Sequence, residues 1–245
     1  MSANPYETRK LVSEYLFFHY ADDVSGGMPV PSEALSFPVR LVQELLDPAR
    51  PAARALDLGC AVGRSTFELS RTIRSVVGID FSAAFISAAD DMKAGRPIAC
   101  EIVLEGERTF PYVPQRPPGV DPARVLFETG DAMDLRQDLG AFDVVLAANL
   151  LCRLPEPKKF LARLPSLVSP GGQLLLATPF SWLPEFTPRE HWIGGINEPS
   201  WDVLRRALET DFELQLEKNL PFLIREHSRK FQYGISLGTR WIRRS

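Results

Sequence analysis

Two acids and a run of small residues carry the most legible chemistry in this chain. Asp57 opens the run Asp57-Leu58-Gly59-Cys60-Ala61-Val62-Gly63, and Asp80 closes Val76-Val77-Gly78-Ile79-Asp80, 17 residues beyond Gly63. Glycines let backbone approach a ligand where a side chain would collide. A helix start beside them would add unpaired N–H groups. The spacing departs from the dinucleotide fingerprint G-x-G-x-x-G: it reads D-x-G-x-x-x-G, with Asp57 where the first glycine would stand. A carboxylate there repels a pyrophosphate but can accept hydrogen bonds from a cationic amino-acid group. An acid ending the next strand suits the two hydroxyls of a ribose.

Such residues need a strand before each acid and a helix after the bend. Ala55-Leu56-Asp57-Leu58 is a short apolar run broken by one acid, as in a buried strand. From Arg64 the spacing turns helical, with Phe67, Leu69 and Ile73 apolar and Arg64, Glu68, Arg71 and Arg74 polar. A glycine bend plus a ribose acid, without phosphate chemistry, suits S-adenosyl-L-methionine (product S-adenosyl-L-homocysteine) better than NAD. On Asp57, Gly59, Gly63 and Asp80 the chain resembles the Rossmann-like, class I S-adenosylmethionine-dependent methyltransferases. The resemblance implies an α/β fold: a seven-stranded, mostly parallel sheet with an antiparallel C-terminal hairpin and helices on both faces. It also implies cofactor contacts from Asp57, Gly59, Cys60, Gly63, Arg64 and Ser65, then from Asp80, Phe81 and Ser82. Gly130, Asp131 and Ala132 follow a third strand (Val125 to Glu128), where Asp131 would meet the adenine amine. Asn149 and Leu150 complete the set beyond a fourth strand, Phe142 to Ala148.

Composition narrows the function classes. Over 245 residues, 45% are hydrophobic and the formal charge is −3, which provides a sizeable core and argues against a nucleic-acid partner. Arg240, Arg243 and Arg244 read as a frayed, solvated tail. Cys60, Cys100 and Cys152 are widely spaced, which suggests neither a disulfide framework nor a metal site. The charged N-terminus lacks a signal-peptide profile and no apolar run reaches a membrane span, so a cytoplasmic protein is expected.

Elsewhere the chain reads as one methyltransferase-sized domain, 1–245, with three additions. Residues 1–50 form an N-terminal helical lid. Pro5 starts a helix on which Leu11, Tyr15, Leu16 and Phe18 share a face, and Tyr6, Tyr15, His19 and Tyr20 add hydrogen-bonding aromatics. Its plainer alternative is an amphipathic helix over the sheet edge, with tyrosine hydroxyls in water. After a Gly/Pro loop, Phe37 to Leu46 is a second helix. Residues 95–122 form a β-hairpin about Glu105-Gly106 and a proline-rich connector; a surface insertion, a dimer edge and a cap all fit. Residues 179–198 form a substrate-side loop rich in Phe and Trp. Pro170-Gly171-Gly172 reads as a turn into a fifth strand, Gln173 to Thr178. Trp201 to Leu208 is a helix N-capped by Ser200, and Arg225 to Lys230 a turn between two late strands.

Asn-Pro-Tyr-Glu-Thr near the start, Ser13-Glu-Tyr-Leu-Phe-Phe-His-Tyr20 and Glu185-Phe-Thr-Pro-Arg-Glu-His-Trp-Ile-Gly-Gly195 resemble a narrower group, the 4-mercaptohistidine N1-methyltransferases of ovothiol biosynthesis. The resemblance implies a thiol-bearing histidine (5-thiohistidine) as substrate. Because the family's frequent sulfoxide-synthase portion is missing here, it also implies a separate sulfoxide synthase upstream. Transfer from a sulfonium needs nucleophile, methyl and sulfur in line in a dry pocket, with no metal. An imidazole acceptor must lose a ring proton before or after attack. Candidate bases are His19, Tyr20 and His191. Arg153, Arg189 or Arg225 could hold a substrate carboxylate, and Glu185 or Glu14 its ammonium. Tyr6, Tyr15, Asn149, Phe186 and Trp192 complete the expected acceptor side. Each candidate has a structural alternative: turn decoration for Arg225, solvation for Arg189, packing for Trp182 and Trp192.

Overall fold

The computed structural model describes residues 5–245; Asn4 of the opening motif lies outside the described residues. In chain order the strands are β1 (Arg54–Leu58), β2 (Ser75–Asp80), β3 (Cys100–Glu105), β4 (Arg108–Tyr112), β5 (Val125–Thr129), β6 (Phe142–Ala148), β7 (Val168–Thr178), β8 (Phe212–His227) and β9 (Lys230–Arg243). The helices are α1 (Arg9–Tyr20), α2 (Phe37–Leu45), α3 (Arg64–Leu69), α4 (Ala83–Ala94), α5 (Pro157–Leu167) and α6 (Ser200–Glu209).

Seven strands pair in the order β5-β2-β1-β6-β7-β9-β8. The first five are parallel, and β9 runs antiparallel to both β7 and β8. This is the sheet expected from the sequence. The chain steps outward from β1 to β2 and β5, then returns to β6 on the other side of β1. Ligands in open α/β sheets bind at such a reversal, beyond the carboxyl ends of the strands.

Period-two alternation explains why both faces are covered. Leu56, Leu58, Val145, Ala147, Leu174 and Leu176 face one cluster, which includes Phe160 and Leu164 of α5 and Leu204 and Leu208 of α6. Ala55, Val144, Leu146, Leu175 and Ala177 face another, with Leu41 and Leu45 of α2 and Leu69 of α3. Burying each such side chain contributes about 1.5–3 kcal/mol, and the parallel strands read as near-continuous apolar runs because neither face is wet.

Several sequence expectations change at the C-terminal end. The predicted turn shrinks, because β8 runs through Arg225 to His227 and β9 resumes at Lys230. Of the expected frayed tail, Arg240 and Arg243 are instead ordered strand, and Arg244 follows its end. Arg243 bonds the Asp211 carboxylate at 3.1 Å, and the Arg244 N–H donates to the Asp211 carbonyl. Pro170-Gly171-Gly172 lies inside β7 as an irregular excursion between two pairing registers. Ser200 is not the N-cap of α6; Pro199 is. The Ser200 hydroxyl donates to the Ile193 carbonyl and accepts from the Trp182 ring N–H.

The distal halves of β8 and β9 continue past Thr178, the end of β7, and reach the separate β3–β4 hairpin. There Ser228 donates to the Leu104 carbonyl from both backbone N–H and hydroxyl. That hairpin packs on α1, with Phe17 edge-on to Phe110 and Tyr112. No described helix is long and apolar enough to cross a membrane.

Candidate active site

The bend after β1 is built by close approach. Gly63 has φ 86°, and a Cβ there would lie 2.5 Å from the Phe127 ring. Ala61 follows β1 at φ 48°, Asn149 follows β6 at φ 53° and Phe180 follows β7 at φ 52°. A left-handed non-glycine residue costs on the order of 1–3 kcal/mol, and such strain gathers at functional sites. Three of the four non-glycine positive-φ residues described sit at this carboxyl edge; the fourth is Ser36.

Asp80 ties the two acid motifs together. Its carboxylate accepts from the Ala61 N–H at 2.8 Å and from the Ser82 N–H at 2.9 Å. Burial raises its pKa, and these backbone bonds oppose the rise. Beside it the Phe81 ring is 64% exposed, an open apolar face next to a diol-type acceptor. The Gly130 N–H donates to the Asp80 carbonyl, which brings the end of β5 to the same place. Asp131 turns back on its own loop and accepts from the Met133 N–H at 2.8 Å; Ala132 is buried beside it. Leu150 covers the Gly59 turn, and the Asn149 Oδ1 accepts from the buried Ser236 hydroxyl of β9 at 2.6 Å.

Asp57 points elsewhere. It is 1% exposed and accepts from the Thr66 hydroxyl at 2.7 Å. Burial pushes it up to about 7, against the pull of Thr66. The acid expected to greet a cationic amino group therefore braces β1 against α3. The Ser65 hydroxyl bonds the Pro38 carbonyl at 3.2 Å and so serves α2. Cys60 is buried, and burial pushes its thiol up.

The N-terminal segment lies across the bend. Tyr20 donates to the Val62 carbonyl at 2.7 Å, so its hydroxyl is not in water as the amphipathic-helix alternative supposes. Ser82 donates to the Tyr6 carbonyl, and the Glu7 carboxylate accepts from the Ala83 and Ala84 N–H groups at the start of α4. Tyr15 packs on Phe85 at 4.7 Å between ring centroids, and burial lifts its hydroxyl far above the usual range, with smaller effects from Tyr6, Arg153 and Asp80. From the far side Phe186 stacks on Tyr6 at 6.1 Å, and the Arg153 guanidinium lies 4.9 Å from the Phe186 ring. Tyr6, Tyr15, Arg153 and Phe186 thus lie together, and the Tyr15 hydroxyl is close enough to Asp80 and Arg153 to sense both charges.

The base candidates fare differently. Burial and the Arg64 charge push His19 down to about 3, so its imidazole is neutral and weakly basic. Burial raises Tyr20 well above its usual range, and its proton is committed to Val62. The His191 Nδ1 lies 2.8 Å from the Pro155 carbonyl.

Other acceptor candidates serve packing. Trp192 donates to the Thr187 carbonyl and stacks on Trp182, while Arg189 lies over the Trp192 ring. Glu185 is exposed. Arg225 is 6% exposed, lies over Phe17 and Phe110 and donates to the Val24 carbonyl. Phe17 lies on the face of α1 opposite Tyr15, so Arg225 supports the outer side of that helix.

Glu7, Thr66 and Ser236 were missed as positioning residues. Thr66 had a helical signal, being on the inward face one position before Phe67. Glu7 and Ser236 had none, because their partners lie 76 and 87 residues away.

A family model described as a methyltransferase domain matches residues 32–223. The chain is 31% identical over 149 residues to trans-aconitate 2-methyltransferase of Deinococcus radiodurans, covering 60% of this chain and 45% of that protein. It is 23% identical over 146 residues to ajmaline N-methyltransferase of Rauvolfia serpentina, covering 56% and 42%. The chain spans about half the length of the curated relatives it matches. Its fold is similar to that of the N-methyltransferase NodS of Bradyrhizobium japonicum in complex with S-adenosyl-l-homocysteine, with TM-score 0.56, 13% identity, and 96% and 99% of the two chains covered. It is also similar to the [4+2]-cyclase SpnF, with TM-score 0.58, 16% identity, and 95% and 93% covered. With the family model covering most of its length and the acid-tied bend at the reversal of its sheet, the chain belongs to the methyltransferase-domain family.

Proposed function

We propose that the chain transfers the methyl group of S-adenosylmethionine to a ring nitrogen of 4-mercaptohistidine, a small thiol-bearing histidine. The observation that carries this reading is the convergence on Asp80 of two structures: the bend held through the Ala61 N–H, and a set of rings, Tyr6, Tyr15 and Phe186, with one guanidinium, Arg153. The first suits a ribose. The second suits a flat acceptor carrying one carboxylate.

The residues fit the methyl donor. Asp80 offers a carboxylate to a diol and Phe81 an open ring to a base. When bound, the donor supplies an electrophilic methyl on a sulfonium. The acceptor nitrogen's lone pair forms the new N–C bond as the electrons of the C–S bond remain on sulfur. What the protein contributes is alignment and exclusion of water: the N-terminal segment acts as a lid, Tyr6, Tyr15 and Phe186 flank the ring, and Arg153 orients the carboxylate. None of His19, Tyr15 and Tyr20 accepts a proton near neutrality. The nitrogen that already presents a lone pair attacks, and the proton leaves afterwards from the other ring nitrogen, to solvent or to His191, whose Nδ1 is engaged by the Pro155 carbonyl.

Incubating the purified chain with S-adenosylmethionine and 4-mercaptohistidine should yield a product one methyl heavier by mass spectrometry, with histidine a poor acceptor. Binding of S-adenosylhomocysteine without that product would reject the acceptor and keep the donor. A second reading is favoured by the relative named for trans-aconitate: methylation of another small carboxylate-bearing metabolite, which also needs no base. A panel of carboxylic acids, amines and phenols separates the two. The cyclase with this fold is a reminder that fold alone does not fix chemistry. Turnover by the isolated chain also decides against a non-catalytic, donor-binding subunit.

A further inference from the structure

Of the four buried side-chain polar atoms without a partner among the described residues, two belong to Arg64, which follows the bend directly, and to His19, next to the tyrosine that bonds it. Among the described residues, His19 Nδ1 and Arg64 Nε are both buried and unbonded. They sit on groups that sense one another: the Arg64 charge acts on the His19 ring, and the Arg64 guanidinium lies 5.9 Å from the ring of the adjacent Tyr20. The other side of the guanidinium is engaged, with one terminal nitrogen 3.1 Å from Glu68. His19 is held by its stack on Tyr15 at 5.8 Å and by its edge contact with Phe18 at 5.2 Å. A buried donor without a partner costs free energy, so a pair of them beside a binding bend calls for a ligand atom.

We infer that His19 and Arg64 together seat the carboxylate of the methyl donor's amino-acid end, His19 donating from Nδ1–H and Arg64 from Nε–H. The inference rests on the proposed function and deepens it. A neutral imidazole can carry its proton on Nδ1, and two N–H donors can share one carboxylate. Position selects the donor over the acceptor. Asp80 and Phe81 lie on the β2 side of the bend, whereas Arg64 follows Gly63 directly and lies beneath α1, where the part of the ligand beyond the ribose would run. His19, expected to be a base, becomes a binding residue.

The test compares dissociation constants, by calorimetry, for S-adenosylhomocysteine and for its decarboxylated analogue, which keeps the ammonium group. In the wild type, losing the carboxylate should weaken binding roughly 10- to 100-fold. His19→Phe preserves ring packing and Arg64→Met preserves the stem. Each should weaken S-adenosylhomocysteine by about tenfold or more, leave the analogue within about twofold and shrink the gap between the ligands. His19→Asn, which restores a donor, should recover part of the loss. If the variants weaken both ligands equally, or neither, the seat is wrong while the donor assignment stands. If the wild type binds both ligands with equal affinity, the inference falls without any variant. Binding of neither ligand by the wild type overturns the donor assignment and this inference together.

Discussion

The Tyr20 hydroxyl donates to the Val62 carbonyl at 2.7 Å, which pins the last turn of the N-terminal helix to the same bend that Asp80 holds through Ala61. Cover and bend are thereby one mechanical unit. Anything that enters the bend must either fit beneath this bond or break it.

Tyr20→Phe removes the tether and leaves the ring. Stability should fall by about 1 kcal/mol, amide exchange over residues 9–20 should quicken, and turnover should stay within about tenfold of wild type. General-base removal typically costs about 10²–10⁴-fold. A loss of that size would restore Tyr20 as a base.

Asp80 is expected to matter twice, for the ligand and for the loop. Asp80→Ala should weaken S-adenosylhomocysteine by roughly 100-fold or more, since charge-assisted bonds are lost, and should lower the melting temperature by freeing Ala61. Asp80→Asn, which can still accept one of the backbone bonds, should keep more stability than affinity. Calorimetric titration beside thermal melts reads both.

Asp57 predicts a pH dependence with a definite sign. Its folded pKa, about 7, lies above its unfolded value of 3.8, so the folded protein keeps a proton that the unfolded chain has lost. The stability this residue permits is whole below about pH 4 and lost as pH rises through about 7. Asp57→Asn keeps an acceptor for Thr66 and has no charge to bury. Its stability advantage over wild type should therefore grow between pH 4 and 8, by on the order of 4 kcal/mol, in denaturant titrations of the ligand-free protein. An unchanging difference would contradict the burial of a titrating carboxyl.

Gly63→Ala meets two obstacles, a φ of 86° and the Phe127 ring 2.5 Å from the new Cβ. It should cost roughly 2–4 kcal/mol. Adding Phe127→Leu should return only the part due to crowding, which a double-mutant cycle measures.

Arg225 separates packing from substrate binding. Arg225→Ala should lower stability by about 1–2 kcal/mol through lost stem and ring contacts. The KM for the acceptor should move less than about twofold, whereas Arg153→Ala should raise it severalfold. Steady-state kinetics on both variants decides which arginine the carboxylate uses.

The difference between legible and illegible parts follows sequence distance. The bend, the two acids and the parallel strands could be read because glycine spacing, an acid at a strand end and apolar runs are local patterns. The distal arm could not: Glu217, Lys218 and Asn219 are exposed on an edge strand, and nothing local distinguishes them from a turn. Arg243 reads as a solvated tail until Asp211 and Phe212 are placed beside it. For His19 the residue type could be read and the basicity could not, because a histidine's basicity depends on how completely its neighbours exclude water.

From the order of its residues alone, this chain determined an α/β sheet with a glycine bend opposite a strand-end acid, and with it the kind of donor to expect. Tertiary structure decided that Asp57 braces α3, that Tyr20 is a tether, that His19 is neutral and that Arg153 lies on Phe186 whereas Arg225 lies on Phe17 and Phe110. The reason is physical: backbone conformation answers to nearest neighbours, whereas charge, hydrogen bonding and solvent access at a side chain are set by groups brought to it from far along the chain.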